Sequence, residues 1–200
     1  LPPLTATDNH PNLRLPGTPD VELLSGATGT IQVTLDYGQT YVVAAEQNNT
    51  LNSREGIIGT LIESDKSIVV NSGSGTGSFT PDEGGQDYGI DQIVGRELVG
   101  NEYIFIRGEG DDGWENVLLI ADKDNTRINV NGLPLLDDNN NQVVLDNGEF
   151  VIIEGDKYHP DRGNMYVNSS NPDDKIFAFQ GLCAICTGQN NQNRASMQGM

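Results

Sequence analysis

The sequence predicts an all-β protein, a duplicated antiparallel β-sandwich-like module with long polar loops. Two observations support this fold class. The first is that short apolar runs alternate with clusters of glycine, asparagine and aspartate, with 24 glycines among 200 residues. These residue types favour tight turns, and many short strands between tight turns are typical of sandwiches and barrels. The second observation is an internal repeat.

Two sequence markers recur in the same order. Residues 31–41 (IQVTLDYGQTY) align with 141–151 (NQVVLDNGEFV), and residues 68–73 align with 176–181. Each Asp-x-Gly is typical of a hairpin in which glycine supplies a positive φ. Because a repeat indicates a repeated supersecondary unit, we expect a first β unit over 1–100, N-terminally incomplete, and a second over 101–200. We expect the two to pack as one continuous module, with 65–73 and 173–181 in similar surroundings.

The individual elements follow from the apolar runs. A partial helical spacing of four apolar residues predicts one short helix at 89–98. The segments 71–87 and 187–200 have little hydrophobic content and predict long loops. The runs at 68–70 and 176–179 are apolar at consecutive positions, as expected of strands covered on both faces. Further strands are predicted at 40–45, 57–63, 102–107, 116–121, 126–130 and 149–154.

The charge of the chain limits its partners. With 29 acidic against 11 basic residues, the formal net charge is −18. Such a surface repels phosphate backbones and anionic membranes, which argues against nucleic-acid partners. No run approaches the ~20 apolar residues of a membrane-spanning helix, so direct membrane insertion is not expected. No signal peptide is visible, and the abrupt start and end suggest a fragment of a longer protein.

The two cysteines form a Cys183-Ala-Ile-Cys186 motif with three interpretations. A redox motif requires a thioredoxin-like βαβ context, which the pattern lacks. A zinc site requires two more ligands, and the only histidines are His10 and His159. A structural disulfide, local or to cysteines elsewhere in a longer protein, suits an exported protein and is favoured over free thiols.

No pattern predicts catalysis. Residues 108–113 (GEGDDG) match GxGxxG, but the next segment resembles a strand, whereas a dinucleotide loop requires a helix N-terminus. The three acids of the loop would also repel phosphate, so we interpret it as an acidic hairpin turn. There is no G-x-S-x-G elbow and no HExxH, and we expect the protein not to be an enzyme.

Calcium is the one cofactor that the sequence makes possible, and no other is expected. Asp137-x-Asn139-x-Asn141 imitates the start of an EF-hand loop, and Asp122 and Asp124 form another oxygen-rich turn. Aspartate and asparagine also favour turns through their own backbone hydrogen bonds. A calcium site and ordinary turn chemistry therefore both remain open.

An ordered set of motifs resembles the IgGFc-binding N-terminal domain family over about residues 31–181. The LDxGxxY run is followed by SDKSIVVNSG, DYGIDQI and GNEYIFI, and ADKDNTRINVNG then precedes VVLDNGEFV. Ser67 and Lys175 depart from the pattern, because the family often has proline there. The family occurs in mucus-associated animal proteins and very large bacterial surface proteins. The asparagine- and aspartate-rich composition is similar to that of the giant adhesins of gliding Bacteroidetes.

The resemblance implies an extracellular, cell-surface module for adhesion or ligand display, part of a large secreted or surface-anchored protein. Partners would be a surface polysaccharide or protein ligand and neighbouring modules of the same chain. A rigid β scaffold presents loops, and the expected ligand-binding residues are Asp111, Asp112 and Trp114, whose indole offers an apolar anchor. The alternatives are a calcium-assisted carbohydrate-binding module and a glycan-processing enzyme with two facing carboxylates.

Overall fold

The structure, a computed structural model, describes residues 13–14, 22–23, 32–45, 58–77, 87–110, 112–183 and 195–199. These residues contain β-strands and short 3-10 turns but no α-helix, so the all-β prediction is confirmed. The chain forms two compact units, residues 1–58 and 59–200. The predicted division at residue 100 concerned the sequence repeat, and it stays a prediction.

The first unit contains one small antiparallel sheet. Its strands are β1 (Leu13–Arg14), β2 (Glu22–Leu23) and β3 (Ala44–Ala45), in the order β2-β1-β3. Of the strand predicted at 40–45, only its last two residues are extended and paired.

The second unit has two larger antiparallel sheets and a hairpin. The hairpin joins β4 to β5, one sheet has the order β10-β8-β12-β6 with β9 paired to β8, and the other has the order β11-β7-β13-β14. The strands are β4 (Val70–Gly77), β5 (Asp87–Ile93), β6 (Glu102–Ile106), β7 (Val117–Ala121), β8 (Thr126–Val130), β9 (Leu133–Pro134), β10 (Val144–Leu145), β11 (Phe150–Ile153), β12 (Asn164–Ser169), β13 (Ile176–Cys183) and β14 (Ala195–Gly199).

The core lies between these two larger sheets. Alternate residues of β8 and β12 are buried, as expected for strands with one face inward. Side chains from both sheets form one buried cluster, and five large ones are fully buried: Phe105, Leu119, Ile128, Met165 and Ile176. Each contributes about 1.5–3 kcal/mol relative to an exposed position. This arrangement agrees with the predicted sandwich.

The two Asp-x-Gly markers fold into the same turn. The backbone N–H of Gln39 donates to the carbonyl of Asp36, and Glu149 does the same with Asp146. The third residue of each turn is a glycine with φ of 78° or 81°, as a type II turn requires. The turn conformation was therefore predicted correctly. The second turn is not a hairpin, because β10 and β11 lie in different sheets.

The second marker does not fold alike in its two copies. Ile176 begins β13 and is fully buried, whereas Ile68 and Val69 precede β4 and are 51% and 69% exposed. The prediction of a strand covered on both faces is therefore wrong at 68–70, where only Val70 is in a strand. Residues 65–73 and 173–181 lie in different surroundings, so the duplicated plan is not seen at these segments.

Four further predictions are corrected. No helix forms over 89–98: residues 87–93 are β5, followed by a 3-10 turn at Arg96–Leu98, because pairing with β4 outweighs weak helical spacing. The loop predicted at 71–87 contains the paired β4, and the loop predicted at 187–200 contains β14. Conversely, the strand predicted at 57–63 does not form over 58–63, the part of it that the structure describes.

Glycine explains the error at β4. A Cβ at Gly73 would lie 2.2 Å from the carbonyl oxygen of Gly89 on the paired strand. Glycine here permits close approach of two backbones rather than forming a loop. A second close approach joins Gly59 to the β10–β11 turn, because a Cβ at Gly59 would lie 1.8 Å from the carbonyl oxygen of Gly148.

The GxGxxG loop encloses a side chain of its own chain. The carboxylate of Glu115, which is fully buried, accepts hydrogen bonds from the backbone N–H of Gly108 at 2.8 Å and of Gly110 at 2.9 Å. Amides that hold a phosphate in nucleotide-binding loops here hold a carboxylate. These two amides are therefore engaged by the protein itself. The loop is not the predicted hairpin turn, since β6 and β7 belong to different sheets.

Candidate functional site: a basic cleft

The connection from β11 to β12 crosses between the two larger sheets and is fixed at Tyr158. This residue is buried, and its hydroxyl accepts a hydrogen bond from Nε2 of Gln180 at 2.8 Å. Burial, and secondarily the charge of Glu115, raises the pKa of Tyr158 well above its usual range. The anchored tyrosine holds the connection against the core, while the polar residues on either side of it remain accessible.

The loop after Tyr158 is closed by its own backbone. The N–H of His159 donates to the carbonyl of Asn164 at 2.8 Å, and the N–H of Gly163 donates back to the carbonyl of His159 at 2.8 Å. Gly163 has φ of 62°, a conformation that suits glycine. These contacts give the loop a defined shape, and it carries Arg162 at its exposed tip.

The opposite wall is the turn after β8. Asn131, at φ of 52°, donates from Nδ2 to the carbonyl of Lys157 at 2.7 Å and accepts from the N–H of Tyr166 at 3.0 Å. This one side chain links the loop to the sheet. Between this turn and the loop after Tyr158 lies a cleft of ≈ 590 Å³. It is lined by Asn131, Gly132, Asp156, Lys157, Tyr158, His159, Pro160, Arg162, Asn164 and Tyr166. Such a volume suits a small ligand or a side-chain cluster of a partner.

The cleft concentrates positive charge on a chain with a net charge of −18. Lys157 has a carboxylate partner in Asp156, at 2.6 Å. Arg162 has no ion-pair partner within the described residues, whereas Arg96 and Arg107 have theirs in Asp122 and Asp112. The cleft therefore presents a guanidinium that is free to bind an acceptor from a ligand.

His159 adds a hydrogen-bond donor. Its Nδ1 accepts a hydrogen bond from the backbone N–H of Asp161 at 3.2 Å. In the neutral imidazole the proton therefore resides on Nε2, which becomes the donor of the ring. The Oδ1 of Asn164, another residue of the cleft wall, is buried and has no hydrogen-bond partner among the described residues.

An apolar pair lies beside the cleft on the outer face of the same sheet. Ile104 pairs with Tyr166 and Ile106 with Asn164, and both isoleucines are 62% exposed. The hydroxyl of Tyr166 donates to Oε2 of Glu102 at 2.6 Å, and this hydrogen bond raises the pKa of Tyr166. The isoleucine pair and the cleft form a continuous surface, since Tyr166 and Asn164 belong to both.

The predicted ligand-binding residues lie elsewhere. Asp112 and Trp114 form a 3-10 turn between β6 and β7, and Asp112 is engaged by Arg107 at 2.6 Å. Asp111 and the side chain of Trp114 lie outside the described residues. A binding role for this turn stays a prediction.

The predicted calcium ligands have partners within the protein. Asp122 pairs with Arg96 at 2.6 Å, and Oδ1 of Asp124 accepts from the N–H of Asn147 at 2.9 Å. Oδ1 of Asp137 accepts from the N–H of Asn139 at 2.9 Å. Among the residues that the structure describes, no three His, Cys, Asp or Glu side chains form a group that could hold a metal ion. The calcium prediction remains to be tested.

The disulfide prediction also stays open. Cys183 ends β13, and Cys186 lies outside the described residues.

Sequence reasoning passed over the cleft, although a signal was present. A stretch of six residues, 157–162, contains Lys157, His159 and Arg162, although the whole chain has only 11 Lys and Arg and 2 His. The interleaved acids Asp156 and Asp161 obscured this concentration of positive charge. The contribution of Asn131 and Tyr166 depends on strand pairing, which the local sequence does not reveal.

Comparison with known proteins identifies the family. A family model described as IgGFc binding protein matches residues 4–198. No curated protein and no solved structure matches the chain. Within the described residues, no helix has the length and apolar character needed to span a bilayer. The family is one of binding domains rather than enzymes, and its domains occur in extracellular proteins. Because the match covers nearly the whole chain, the chain belongs to the IgGFc-binding protein family.

Proposed function

We propose that this chain is a non-catalytic adhesion or ligand-display module of a large secreted or surface-anchored protein, of the kind found in the adhesins of gliding Bacteroidetes. It would bind its partner through the basic cleft and the adjoining isoleucine pair. Family membership supports a protein-binding role. The observation that carries the proposal is this continuous surface, in which two isoleucines, 62% exposed, lie beside an arginine that has no ion-pair partner among the residues the structure describes.

The composition of this surface is that of a binding interface. Interface centres are apolar and are enriched in arginine and tyrosine. Burying an isoleucine fully contributes about 1.5–3 kcal/mol, so covering Ile104 and Ile106 would supply a useful part of a binding free energy. Both project from one edge strand held by the core residue Phe105 between them, so the surface is already formed before a partner binds.

The cleft does not favour the alternative of a glycan-processing enzyme. Glycoside hydrolysis uses two carboxyl groups about 5–9.5 Å apart across the substrate. Within the described part of the chain, the cleft is lined by one carboxylate, Asp156, which Lys157 engages at 2.6 Å. The arrangement can bind and orient a ligand, and it lacks the second acid that hydrolysis requires.

The proposal is tested with beads that carry the chain. Their retention is measured on surfaces coated with extracellular glycoproteins, acidic and neutral polysaccharides, and IgG Fc, which the family description names. The test variant is Ile104→Asp/Ile106→Asp. The matched control is Leu61→Asp/Ile62→Asp, which places the same charges at positions 64% and 56% exposed.

We expect retention on at least one surface, reduced about tenfold or more in the test variant and unchanged in the control. Equal retention of both variants, or retention on no surface, would refute the proposal. Release of new reducing ends from a bound polysaccharide would show turnover and favour the enzyme alternative.

A further inference from the structure

We propose that the cleft takes a single carboxylate side chain of a protein partner, an Asp or Glu that has an apolar neighbour on the partner's surface. This inference rests on the proposed function and specifies its ligand. The carboxylate would bind Arg162 and Lys157, and the apolar neighbour would cover Ile104 and Ile106.

A partner meets β6 through its outward side chains, because the backbone of this strand is engaged on both sides. Along one side it pairs with β12. On the other side, the carbonyl of Ile106 accepts from Nε2 of Gln180 at 2.6 Å, and the carbonyl of Gly100 accepts from the N–H of Ile176 at 2.9 Å. The isoleucine pair is therefore fixed in place, and a ligand approaches it from the outer face of the sheet.

The hydrogen-bonding groups of the cleft select an acceptor. The guanidinium of Arg162 has no ion-pair partner within the described residues, and its paired N–H donors match a carboxylate. Lys157 pairs with the adjacent Asp156, and such exposed pairs contribute little. Nε2 of His159 is a donor in the neutral imidazole. These three side chains all donate, so they favour a ligand that accepts and carries negative charge.

The distribution of charge favours a compact anion over a polyanion. The cleft wall contains two cations, Lys157 and Arg162, against one carboxylate, Asp156, whereas the whole chain has a net charge of −18. Exposed charges are screened beyond about 8 Å at physiological ionic strength, so a single carboxylate in the cleft senses mainly the local excess of positive charge. A polyanion would extend beyond the cleft onto the acidic surface, which begins with Asp161 and with Glu102, the partner of Tyr166.

The apolar neighbour of this carboxylate follows from strand pairing. Asn164 stands two residues after Arg162 in the chain and pairs with Ile106, and Tyr166 pairs with Ile104. Asn164 and Tyr166 also line the cleft, so a group bound at Arg162 has the isoleucine pair beside it. Apolar residues around a charged anchor are typical of the centre of a protein interface.

The amide at the centre of the cleft argues against a sugar. Sugar hydroxyls both donate and accept hydrogen bonds, and amide and carboxylate side chains serve them best. Both polar atoms of the Asn131 side chain are hydrogen-bonded within the protein, to Lys157 and Tyr166, and Asp156 is engaged by Lys157. The exposed isoleucines complement aliphatic side chains, which a protein partner carries.

The test begins with a display library of disulfide-closed peptide loops selected on the full chain. We expect the enriched loops to carry one Asp or Glu next to an aliphatic or aromatic residue, without runs of acids. The best loop is synthesised with a fluorophore, together with a version in which Gln or Asn replaces the acid, and binding is measured by anisotropy. The amide version should bind at least about tenfold more weakly, since hydrogen bonds to charged groups contribute about 1.5–3 kcal/mol.

Variants of the chain locate the interaction. Arg162→Glu and Lys157→Glu should each weaken binding about tenfold or more, whereas Arg162→Lys, which keeps the charge but loses the paired donors, should fall between Arg162→Glu and the wild type. Lys66→Glu makes the same change of net charge at an exposed position outside the cleft, and it should bind as the wild type does. Thermal unfolding checks that each variant is folded, and the amide version of the loop needs no variant at all.

Several results would overturn the inference: no enriched loop, enrichment of loops without an acid or with runs of acids, equal binding of the amide version, or equal loss in Lys66→Glu. Acidic polysaccharides form a separate arm, and binding to them that Arg162→Glu abolishes, without binding of any loop, would assign the cleft to an acidic sugar. If beads adhere through the isoleucine pair but Arg162→Glu has no effect, the proposed function stands and this inference fails.

Discussion

The buried carboxylate of Glu115 gives the sharpest test of the fold. Glu115→Ala leaves the N–H groups of Gly108 and Gly110 without their acceptor, although they lie 2.8 and 2.9 Å from it in the wild type. Each unsatisfied donor costs about 1–3 kcal/mol, so for the two donors together we expect a loss of about 2–6 kcal/mol in the free energy of unfolding. Glu115→Gln replaces one acceptor oxygen with an NH₂ group facing an N–H donor, and it should cost about 1–3 kcal/mol.

Urea unfolding followed by tryptophan fluorescence measures this loss, because the only tryptophan, Trp114, adjoins Glu115 in sequence. In thermal unfolding, about 3 kcal/mol corresponds to roughly 6–12 °C for a chain of this size. The control is Glu109→Ala, an exposed acid of the same loop, which should change stability by less than about 0.5 kcal/mol. The reasoning is refuted if Glu115→Ala costs no more than this control.

Two hydrogen bonds lead to predictions about the titration of Tyr166 and Asp137. The bond from Tyr166 to Glu102 raises the pKa of Tyr166, so Glu102→Gln should lower that pKa toward 10.0 in an NMR titration, and an unchanged value would contradict this cause. Because the pKa of Tyr166 is higher in the folded than in the unfolded chain, this hydrogen bond stabilises the folded state below pH 10.0. The stabilisation is lost as the pH rises through the pKa of the folded state. The backbone N–H of Asn141 lowers the pKa of Asp137 below 3.8, so its contribution is present above that pH and lost as pH falls through the folded pKa. Asp137→Ala should therefore lower Tm at neutral pH and have no effect in strong acid, and an equal effect at both would argue against the hydrogen bond.

Strands bounded by clear turn residues were predictable from local sequence. The prediction for β8 matches residues 126–130, because Asn125 and the Asn131-Gly132 pair bound one β-branched run. All three of these turn residues have positive φ, the conformation that asparagine and glycine tolerate best. Here the local preference and the tertiary structure agree.

Strands whose polar residues face solvent were harder to predict. In β12, the inward residues Met165, Val167 and Ser169 alternate with half-buried polar ones, so no apolar run marks the strand. The cleft shows the same limit at longer range. Asn131 reaches Lys157 and Tyr166 only because β8 pairs with β12, and strand register is not encoded in any one segment.

The contact between Gly59 and Gly148 has a practical consequence for expression of the second unit. A Cβ at Gly59 would lie 1.8 Å from the Gly148 carbonyl oxygen, so no other residue fits there without displacing the turn. A fragment meant to isolate this unit should therefore start upstream of Gly59. A cut or fusion tag downstream of that glycine would remove the backbone that lies against the β10–β11 turn, even though every strand of the larger sheets would still be present.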